Sequence, residues 1–335
     1  MTQVGSAHIP AETPILSASQ LIAAALAKVE ENQAAAEAVQ DLQVALRVLS
    51  SLDPYLDDHS SAGPASLQPL LEATVDEDWG ARYKEGKTTF PMSAKWSAGA
   101  YEGMFIANVA RAVGAKRVLE VGMFTGTTTI CIADNLPEDG KVVALELDAF
   151  LETFLSPHLE RAGLRQKVEI RTGPAKNSIQ GLVQELQSSA IPPFDLIFID
   201  ADKTGYQGYY DQIMQGGLLK VGGVFLIDNT LYSECHRRPQ ERREKKRKAV
   251  LAVQSPQRGR HLADLSSPSH TCPEASPIIA SDPAAQKHLM SKVSGINKEN
   301  ADALNEFNKN VVKDKRVQIT LLPVRDGLTW INRVE

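Results

Sequence analysis

The sequence predicts an α/β protein in which helices cover both faces of a mostly parallel sheet. From residue 117 onward, short apolar segments alternate with helix-length polar or mixed segments, which is typical of consecutive strand and helix units. A Gly/Thr turn follows the first apolar segment, and acidic residues follow two later ones. Such residues indicate a ligand crevice, because open α/β sheets bind ligands at strand ends.

The N-terminal part of the chain is predicted to be helical. Residues 19–49 are rich in Ala, Leu, Gln and Glu, with apolar residues recurring every three or four positions. We expect Asp53-Pro54 to end this run, and short helices to follow around residues 66–73 and 76–83. These elements form a predicted helical extension, or cap, over residues 1–95.

The main domain is predicted to span residues 96–335. A helix at residues 102–113 precedes its first strand, and a closing antiparallel hairpin turns through Arg325-Asp326-Gly327. Residues 233–285 break the alternation with a basic run followed by many Ser, Pro, Arg and His residues, so we expect a largely disordered insert there. The predicted strands are residues 117–121, 142–147, 168–171, 196–200, 224–227, 316–323 and 328–334.

Composition excludes several classes of protein. Hydrophobic residues make up 43% and charged residues 23% of the chain, which is typical of globular proteins rather than fibrous or disulfide-stapled ones. Cys131, Cys235 and Cys272 are too few for a disulfide framework and favour a reducing, cytoplasmic location. The first residues lack an export signal, and the early apolar runs are too short to cross a bilayer, so we expect no membrane partner.

A glycine loop follows the first predicted strand, with the pattern Glu120-x-Gly122-x-x-x-Gly126. A dinucleotide loop has a third glycine and no acid here, whereas a carboxylate suits a cationic ligand. S-adenosylmethionine carries a sulfonium and an ammonium but no phosphate. Glu146, at the end of the second strand, is placed to accept hydrogen bonds from two ribose hydroxyls. The alternatives are a nucleotide-phosphate site, or a tight turn beside a structural acid.

Polar residues also end two later strands. Asp200 and Asp202 follow one strand, with Lys203 adjacent, and Asp228-Asn229 follow the next. In a parallel sheet both ends face one crevice, so Asp200, Asp228 and Asn229 could converge on a cation. An all-oxygen set suits Mg²⁺, or alternatively Mn²⁺ or Ca²⁺, which two adjacent substrate oxygens could chelate. Polar strand ends with a purely structural role are the alternative.

Five motifs resemble, in order, those of the caffeoyl-CoA and catechol O-methyltransferase family. They are VLEVGMFTG, Gly173-Pro174-Ala175, IDADK, GGVFLIDNTL and LPVRDGLT, and the resemblance covers residues 96–335 apart from the insert. It implies a Rossmann-like class I methyltransferase fold whose mostly parallel, seven-stranded sheet ends in an antiparallel hairpin. SLDPYLDD and DEDWGARYKEGKT more narrowly resemble the O-methyltransferases that form 4-deoxygadusol in mycosporine biosynthesis.

The resemblance implies a role for individual residues. Lys203 occupies the position of the family's catalytic lysine, with Asp200 beside it, and the metal ligands fall on Asp200, Asp228 and Asn229. WSAGAYE replaces a Met-Thr-Thr-type stretch, so Ala98 could contact the cofactor only through its backbone. The cofactor-binding residues are Ala98, Glu120, Gly122, Met123, Thr128, Glu146, Ala175 and Asp202, together with Gly126 of the glycine loop. A homodimer is also implied.

The resulting hypothesis is a metal-dependent O-methyltransferase that uses S-adenosylmethionine to methylate one of two vicinal oxygens. The favoured acceptor is demethyl-4-deoxygadusol, and caffeoyl-CoA or a catechol is the alternative. A divalent cation lowers the pKa of a bound hydroxyl, and Lys203 could accept the proton if burial depresses its own pKa, or steady the oxyanion.

Two other classes of function are weighed against this hypothesis. Residues 237–248 carry a local charge of +6 within a chain of net charge −5, and such a basic run makes a nucleic-acid-binding protein one alternative. No aromatic residue lies in that run and the remainder is acidic, so nucleic acid is disfavoured. A catalytically silent cofactor-binding protein is the second class, because the insert follows the proposed site. Cys235, His236, His270 and Cys272 match no compact zinc site.

Overall fold

The computed structural model describes Ile22, residues 36–231 and residues 299–335. Helices and strands are numbered here in chain order within those ranges. The helices are α1 (Ala36–Asp58), α2 (Leu67–Asp76), α3 (Trp79–Lys84), α4 (Gly99–Ala112), α5 (Thr127–Asn135), α6 (Ala149–Arg161), α7 (Ala175–Gln187), α8 (Tyr206–Gly216) and α9 (299–311). The strands are β1 (Arg117–Val121), β2 (Lys141–Glu146), β3 (Val168–Thr172), β4 (Phe194–Ile199), β5 (Leu219–Ile227), β6 (Val317–Leu322) and β7 (Leu328–Arg333).

These strands form one seven-stranded sheet in the order β3-β2-β1-β4-β5-β7-β6. Strands β1 to β5 pair in parallel, whereas β7 pairs antiparallel with both β5 and β6. The predicted Rossmann-like fold, with its mostly parallel sheet and closing hairpin, is confirmed. The strand order reverses between β1 and β4, and this is the point where such sheets open a ligand crevice.

The central strands are apolar because both of their faces are covered. Val118 of β1 faces one hydrophobic core and the next residue, Leu119, faces the other, as the two-residue period of a strand requires. The same alternation separates Phe198 from Ile197 and Ile199 in β4. Near-continuous apolar runs are typical of parallel strands packed between two helical layers.

The N-terminal helices pack into the core of the sheet. Leu67, Leu70 and Trp79 are buried in the same hydrophobic cluster as residues of α4 and α5. The predicted helices near residues 66–73 and 76–83 correspond to α2 and α3. These helices and the sheet belong to one compact unit. The proposed boundary between an N-terminal extension and a main domain, at residues 95 and 96, stays a prediction.

The expectation that Asp53-Pro54 ends the first helix is wrong. Helix α1 continues through Pro54 to Asp58, although a proline inside a helix removes one backbone hydrogen bond. The last turns are retained because Asp53 and Asp57 both pair with Arg325 of the loop between β6 and β7. A contact with a residue so distant in sequence overrides the local signal.

Several expectations fall on other parts of the chain. The predicted insert at residues 233–285, its basic run at 237–248, and the Cys235, His236, His270 and Cys272 set lie outside the described residues. Within the described ranges, no helix has the length and apolar character needed to cross a membrane.

Candidate active site

The glycine loop after β1 lies directly against the end of β4. Gly122 has a positive φ of 94°, and a Cβ atom added to it would lie 2.0 Å from the backbone oxygen of Asp200. The amide of Asp200 in turn donates to the oxygen of Val121 at 2.8 Å. Only glycine permits this approach, which joins the predicted cofactor loop to the first acidic strand end.

A cleft opens between this loop and the start of α4. Ala98, Gly122, Met123 and Thr128, all predicted cofactor contacts, line it together with Asp200. Its further lining residues are Trp96, Ser97, Phe124, Thr125 and Thr127, which the sequence analysis did not assign to the cofactor.

Glu120 lies at the end of β1 with only 1% of its surface exposed. Its Oε2 accepts a hydrogen bond of 2.5 Å from the hydroxyl of Thr129, and its Oε1 has no partner within the described part of the chain. Burial raises the pKa of the Glu120 carboxyl to about 8, opposed by the hydrogen bond from Thr129. A cationic ligand beside this carboxyl would favour its ionised form.

Glu146 ends the neighbouring strand β2 and is also buried. Its Oε2 accepts from the amide of Phe124 at 2.8 Å, and its Oε1 accepts from the amide of Asp148 at 3.2 Å. Burial raises the pKa of Glu146, and these amides partly offset that effect. Ala175 begins α7 close by, since the amide of Gly173 donates to the backbone oxygen of Glu146 at 2.8 Å.

Five predicted cofactor residues lie outside the cleft lining, namely Glu120, Glu146 and Ala175, described above, and Gly126 and Asp202. Gly126 is the N-cap residue just before α5, and a Cβ atom there would lie 2.4 Å from the side chain of Leu155, so its missing side chain makes room for helix packing. Asp202 follows β4, where its carboxylate accepts hydrogen bonds from the hydroxyls of Tyr209 and, at 3.3 Å, Thr204.

The second part of the site lies at the ends of β4 and β5. Ile199 and Ile227 are paired in register, so Asp200 and Asp228 follow side by side. The amide of Asp228 donates to the oxygen of Ile199 at 3.0 Å. Asp228 Oδ1 accepts from the amide of Asn229 at 2.7 Å. The predicted strand-end residues are therefore neighbours in the fold.

Lys203 is held between an acid and a phenol. Its Nζ donates to Asp200 Oδ1 at 2.7 Å and to the hydroxyl of Tyr206 at 3.0 Å. Burial alone lowers the pKa of Lys203, but Asp200, Tyr206 and Asp228 together raise it well above its usual value. The protein's own groups therefore do not depress the pKa of Lys203; they favour its charged form, and the effect of a bound metal on this pKa stays a prediction.

Two further carboxyl groups, Glu102 and Asp326, complete a carboxylate cluster with Asp200 and Asp228. Glu102 comes from α4, and Asp326 from the loop between β6 and β7. Glu102, Asp228 and Asp326 are each less than 10% exposed, and Glu102 hydrogen-bonds with Asp228. Burial and the neighbouring acids raise the pKa of Glu102 and Asp228, and burial foremost raises that of Asp326 to about 7.

Asn229 contacts the new member of this cluster. Its Nδ2 donates to Asp326 Oδ2 at 2.5 Å, so this bond does not use the amide oxygen of Asn229. Sequence reasoning missed Glu102 because it lies within an amphipathic helix. It missed Asp326 because Arg-Asp-Gly is also a common turn sequence. The one feature of the sequence that could have identified Glu102 is the presence of an acid on the apolar face of a helix.

The strand-end residues supply oxygen atoms of the kind that a hard cation binds. Within the described residues, no three Asp, Glu, His or Cys side chains are arranged to hold a metal ion together. The predicted set differs from such a group, since it has two carboxylates, Asp200 and Asp228, and the amide oxygen of Asn229. Oxygen donors are suitable for Mg²⁺, and the raised pKa of Asp228 shows that added positive charge would stabilise its ionised form. Glu102 hydrogen-bonds with Asp228, and its Oε1 is buried without a hydrogen-bond partner among the described residues.

The sheet, the glycine loop and the acids at its strand ends define the Rossmann-like methyltransferase class. The sequence model of the O-methyltransferase family matches residues 81–258 and 277–334, which is well over half of the sequence. The chain belongs to the O-methyltransferase family and is an O-methyltransferase.

Curated relatives and solved structures agree with this assignment. The chain is 27% identical over 271 residues to caffeoyl-CoA O-methyltransferase 2 of Eucalyptus globulus, covering 81% of this chain and 83% of the relative. It is 26% identical over 271 residues to caffeoyl-CoA O-methyltransferase 5 of Nicotiana tabacum, covering 81% and 85%.

Two solved structures share the fold at lower sequence identity. SAH-bound methyltransferase PaMTH1 of Podospora anserina aligns with a TM-score of 0.57 and 22% identity, covering 86% of this chain and 96% of that one. TomG of Streptomyces achromogenes, an O-methyltransferase of tomaymycin synthesis in complex with SAM, aligns with a TM-score of 0.54 and 19% identity, covering 85% and 96%.

Proposed function

We propose that this O-methyltransferase moves the methyl group of S-adenosylmethionine to one of two vicinal oxygens of a small molecule, beside a divalent cation. The observation that carries the proposal is the contact between Gly122 and Asp200. It sets the cleft of the glycine loop against the carboxylate cluster, so a methyl donor and an acceptor bound at these two places would be adjacent.

The cofactor half of the proposal is supported by the cleft and its acids. The ammonium of S-adenosylmethionine would stabilise the ionised form of Glu120, whose carboxyl has an unpartnered oxygen. Glu146 would share its carboxylate between the amide of Phe124 and the ribose hydroxyls. PaMTH1 is SAH-bound and TomG is in complex with SAM, which favours the same ligand for this chain.

The metal half of the proposal assigns Asp200, Asp228 and Asn229 as ligands, with Mg²⁺ as the favoured ion. A bound divalent cation would supply a lower pKa for an acceptor hydroxyl and a fixed orientation for two vicinal oxygens. The carboxylate cluster would be stabilised at the same time, because burial and mutual repulsion disfavour its charge.

The chain's own residues would carry out the rest of the reaction. Lys203, as a cation, stabilises the negative charge on the acceptor oxygen, and its contacts with Asp200 and Tyr206 fix its position. In this reaction the acceptor hydroxyl would release its proton to solvent water, and its oxygen would attack the methyl carbon and displace the sulfur, so that a methyl ether, S-adenosylhomocysteine and one proton form. Orientation in one cleft supplies much of the rate.

Demethyl-4-deoxygadusol is the proposed acceptor. The segments SLDPYLDD and DEDWGARYKEGKT carry the narrower resemblance, and each contacts a residue that lines the cleft or adjoins the carboxylate cluster. Asp53 and Asp57 of the first pair with Arg325, next to Asp326. Trp79 of the second lies 5.3 Å, between ring centroids, from Phe124 of the cleft. Caffeoyl-CoA or a catechol is the alternative, which the plant relatives favour.

Competition between acceptors tests the choice of substrate. The purified protein would be assayed with S-adenosylmethionine, Mg²⁺ and demethyl-4-deoxygadusol, caffeoyl-CoA or catechol, and products would be identified by mass spectrometry. We expect the highest kcat/KM with demethyl-4-deoxygadusol. A higher kcat/KM with caffeoyl-CoA would support the alternative, and cofactor binding without methyl transfer to any of the three would favour the catalytically silent class.

A further inference from the structure

A buried ion-pair cluster connects helix α1 to the site. We call Arg325, Asp53, Asp57 and Tyr101 the Arg325 cluster. The Arg325 side chain is only 5% exposed, and its guanidinium lies 3.1 Å from Asp53 Oδ1 and 2.5 Å from Asp57 Oδ1. It also lies over the ring of Tyr101, 4.9 Å from the ring centroid. Two acids and an aromatic face therefore hold one cation.

The backbone around Arg325 is held in an unusual conformation. Arg325 has a φ of 49°, in the left-handed region that is unfavourable for a residue with a side chain. The amide of Gly327 closes the turn by donating to the oxygen of Val324 at 2.8 Å. Strain of this kind persists only where surrounding contacts over-determine the conformation, and the ion pairs of Arg325 are such contacts.

The same turn holds the strand end that carries Asn229. The amide of Leu231 donates to the oxygen of Asp326 at 2.8 Å, and the amide of Thr230 donates to the oxygen of Gly327 at 2.9 Å. The Asp326 carboxylate accepts from Asn229 Nδ2. The position of the Asn229 amide therefore depends on where this turn lies.

The Arg325 cluster and the carboxylate cluster are two layers built from neighbouring residues. Tyr101 precedes Glu102 in α4, and Arg325 precedes Asp326 in the turn. In each pair the first residue belongs to the ion-pair layer and the second to the site. A displacement of the Arg325 cluster would therefore move two carboxylates of the carboxylate cluster, Glu102 and Asp326.

We propose that Arg325 is a positioning residue: its ion pairs with Asp53 and Asp57 fix Asp326 and thereby Asn229, so that helix α1 is part of the cation and acceptor end of the site. This inference rests on the proposed metal-dependent function. The glycine loop makes no contact with this cluster in the hydrogen bonds and ion pairs described above. Cofactor binding is consequently expected to be independent of it.

The choice of variant follows from the charges. If Asp53 and Asp57 become neutral, the buried arginine loses the two carboxylates with which it pairs in the described part of the chain, and Glu102 of the site is a further acid with which it interacts electrostatically. Arg325 would then compete with Asn229 for Asp326. The double variant Asp53→Asn/Asp57→Asn should therefore impair the site, although neither substituted residue belongs to the carboxylate cluster.

The experiment compares cation binding and cofactor binding in the full chain. Mn²⁺ alone would be titrated and followed by electron paramagnetic resonance, and S-adenosylmethionine binding would be measured by calorimetry. For Asp53→Asn/Asp57→Asn we expect Mn²⁺ affinity to fall about 10- to 100-fold, the range for residues that orient metal ligands. The affinity for S-adenosylmethionine should be unchanged. Asp139→Asn, which removes the exposed ion pair with Lys116, is the matched control and should change neither.

A conservative variant tests the same role if the double variant does not fold. Arg325→Lys keeps the charge but loses the two-pronged geometry, so it should lower Mn²⁺ affinity less than the double variant and keep the thermal transition. Unchanged Mn²⁺ affinity in a folded double variant would overturn the positioning role while leaving the proposed function intact. Equal losses for Mn²⁺ and S-adenosylmethionine would also overturn it. Failure of the wild-type protein to bind Mn²⁺ would overturn the proposed metal site itself.

Discussion

The two ends of the site are built in different ways. The cofactor end is made mainly by one loop and its two flanking elements, with Glu120, Gly122 and Thr128 within nine residues of one another. The carboxylate end is assembled from α4, β4, β5 and the loop before β7, so its members are separated by up to 224 positions in sequence, from Glu102 to Asp326.

Their electrostatics differ as well. The pKa of Glu120 rises foremost through burial, and repulsion from Asp200 and Glu146 contributes less. Asp228 is buried among other acids, so repulsion adds to the effect of burial. A single cationic group would offset the charge of the first end, and under the proposed function a divalent ion would offset the charge of the second. Each end should therefore respond to a different ligand, and the following substitutions, in order of decreasing effect, test that separation.

The largest effect is expected for Asp228→Asn. Loss of this carboxylate should remove the cation and lower kcat/KM for methyl transfer by at least about 100-fold, the upper range for changes at metal sites. S-adenosylmethionine binding, measured by calorimetry, should be retained. Asp139→Asn serves as a control with full activity, since Asp139 is an exposed residue paired with Lys116. Loss of both methyl transfer and S-adenosylmethionine binding in Asp228→Asn would show that the two ends are not separable.

Gly122→Ala should impair both ends together. The new Cβ atom would overlap the backbone oxygen of Asp200, and alanine is strained at a φ of 94°. We expect the free energy of unfolding to fall by about 1 to 3 kcal/mol, the range for a strained backbone position. Denaturant titration and cofactor titration would measure this. Gly181→Ala, at a helical glycine with open space, is the matched control. A Gly122→Ala protein with normal stability and affinity would contradict the close approach.

Glu120→Gln should affect the cofactor end alone. Charge-assisted hydrogen bonds contribute about 1.5 to 3 kcal/mol, so S-adenosylmethionine affinity should fall by about 10- to 100-fold. Mn²⁺ binding should be unchanged, because Glu120 lies outside the carboxylate cluster. Equal affinity for S-adenosylmethionine in both proteins would remove Glu120 from the cofactor site.

The same residue gives a pH dependence with a definite sign. The folded-state pKa of Glu120 is about 8, above the value of 4.5 in the unfolded chain. The folded protein therefore holds a proton that the unfolded chain releases, and its stability falls as pH rises from 4.5 through 8. Thermal unfolding of cofactor-free protein should show this decline, and Glu120→Gln should make it shallower. A steeper decline in the variant would contradict the sign.

The smallest effect is expected for Glu146→Gln. The carboxylate already accepts two backbone amides, so a glutamine would keep part of this network and lose one charge. Hydrogen bonds between neutral groups contribute about 1 kcal/mol, so we expect a loss of S-adenosylmethionine affinity of less than about tenfold. Calorimetry would measure it. A loss of affinity as large as that of Glu120→Gln would show that the two acids contribute equally to S-adenosylmethionine binding.

Local patterns predicted the sheet and the residues close to the glycine loop. Apolar periodicity identifies strands such as β1, and glycine spacing identifies a loop, because both depend on neighbours in sequence. The contacts of Arg325 with Asp53 and Asp57 depend on folding, and this is why the end of α1 at Pro54 was wrongly predicted. Glu102 and Asp326 were missed for the same reason, since a buried acid becomes visible only when its surroundings are known.

The most direct test of the two-ended site is methyl transfer with and without cation. The protein would be stripped with excess chelator, then assayed with labelled S-adenosylmethionine and demethyl-4-deoxygadusol before and after Mg²⁺ is restored, with cofactor binding followed in parallel. The proposed site predicts that transfer stops in chelator, returns with Mg²⁺, and that cofactor binding persists throughout. Full transfer in excess chelator would contradict it.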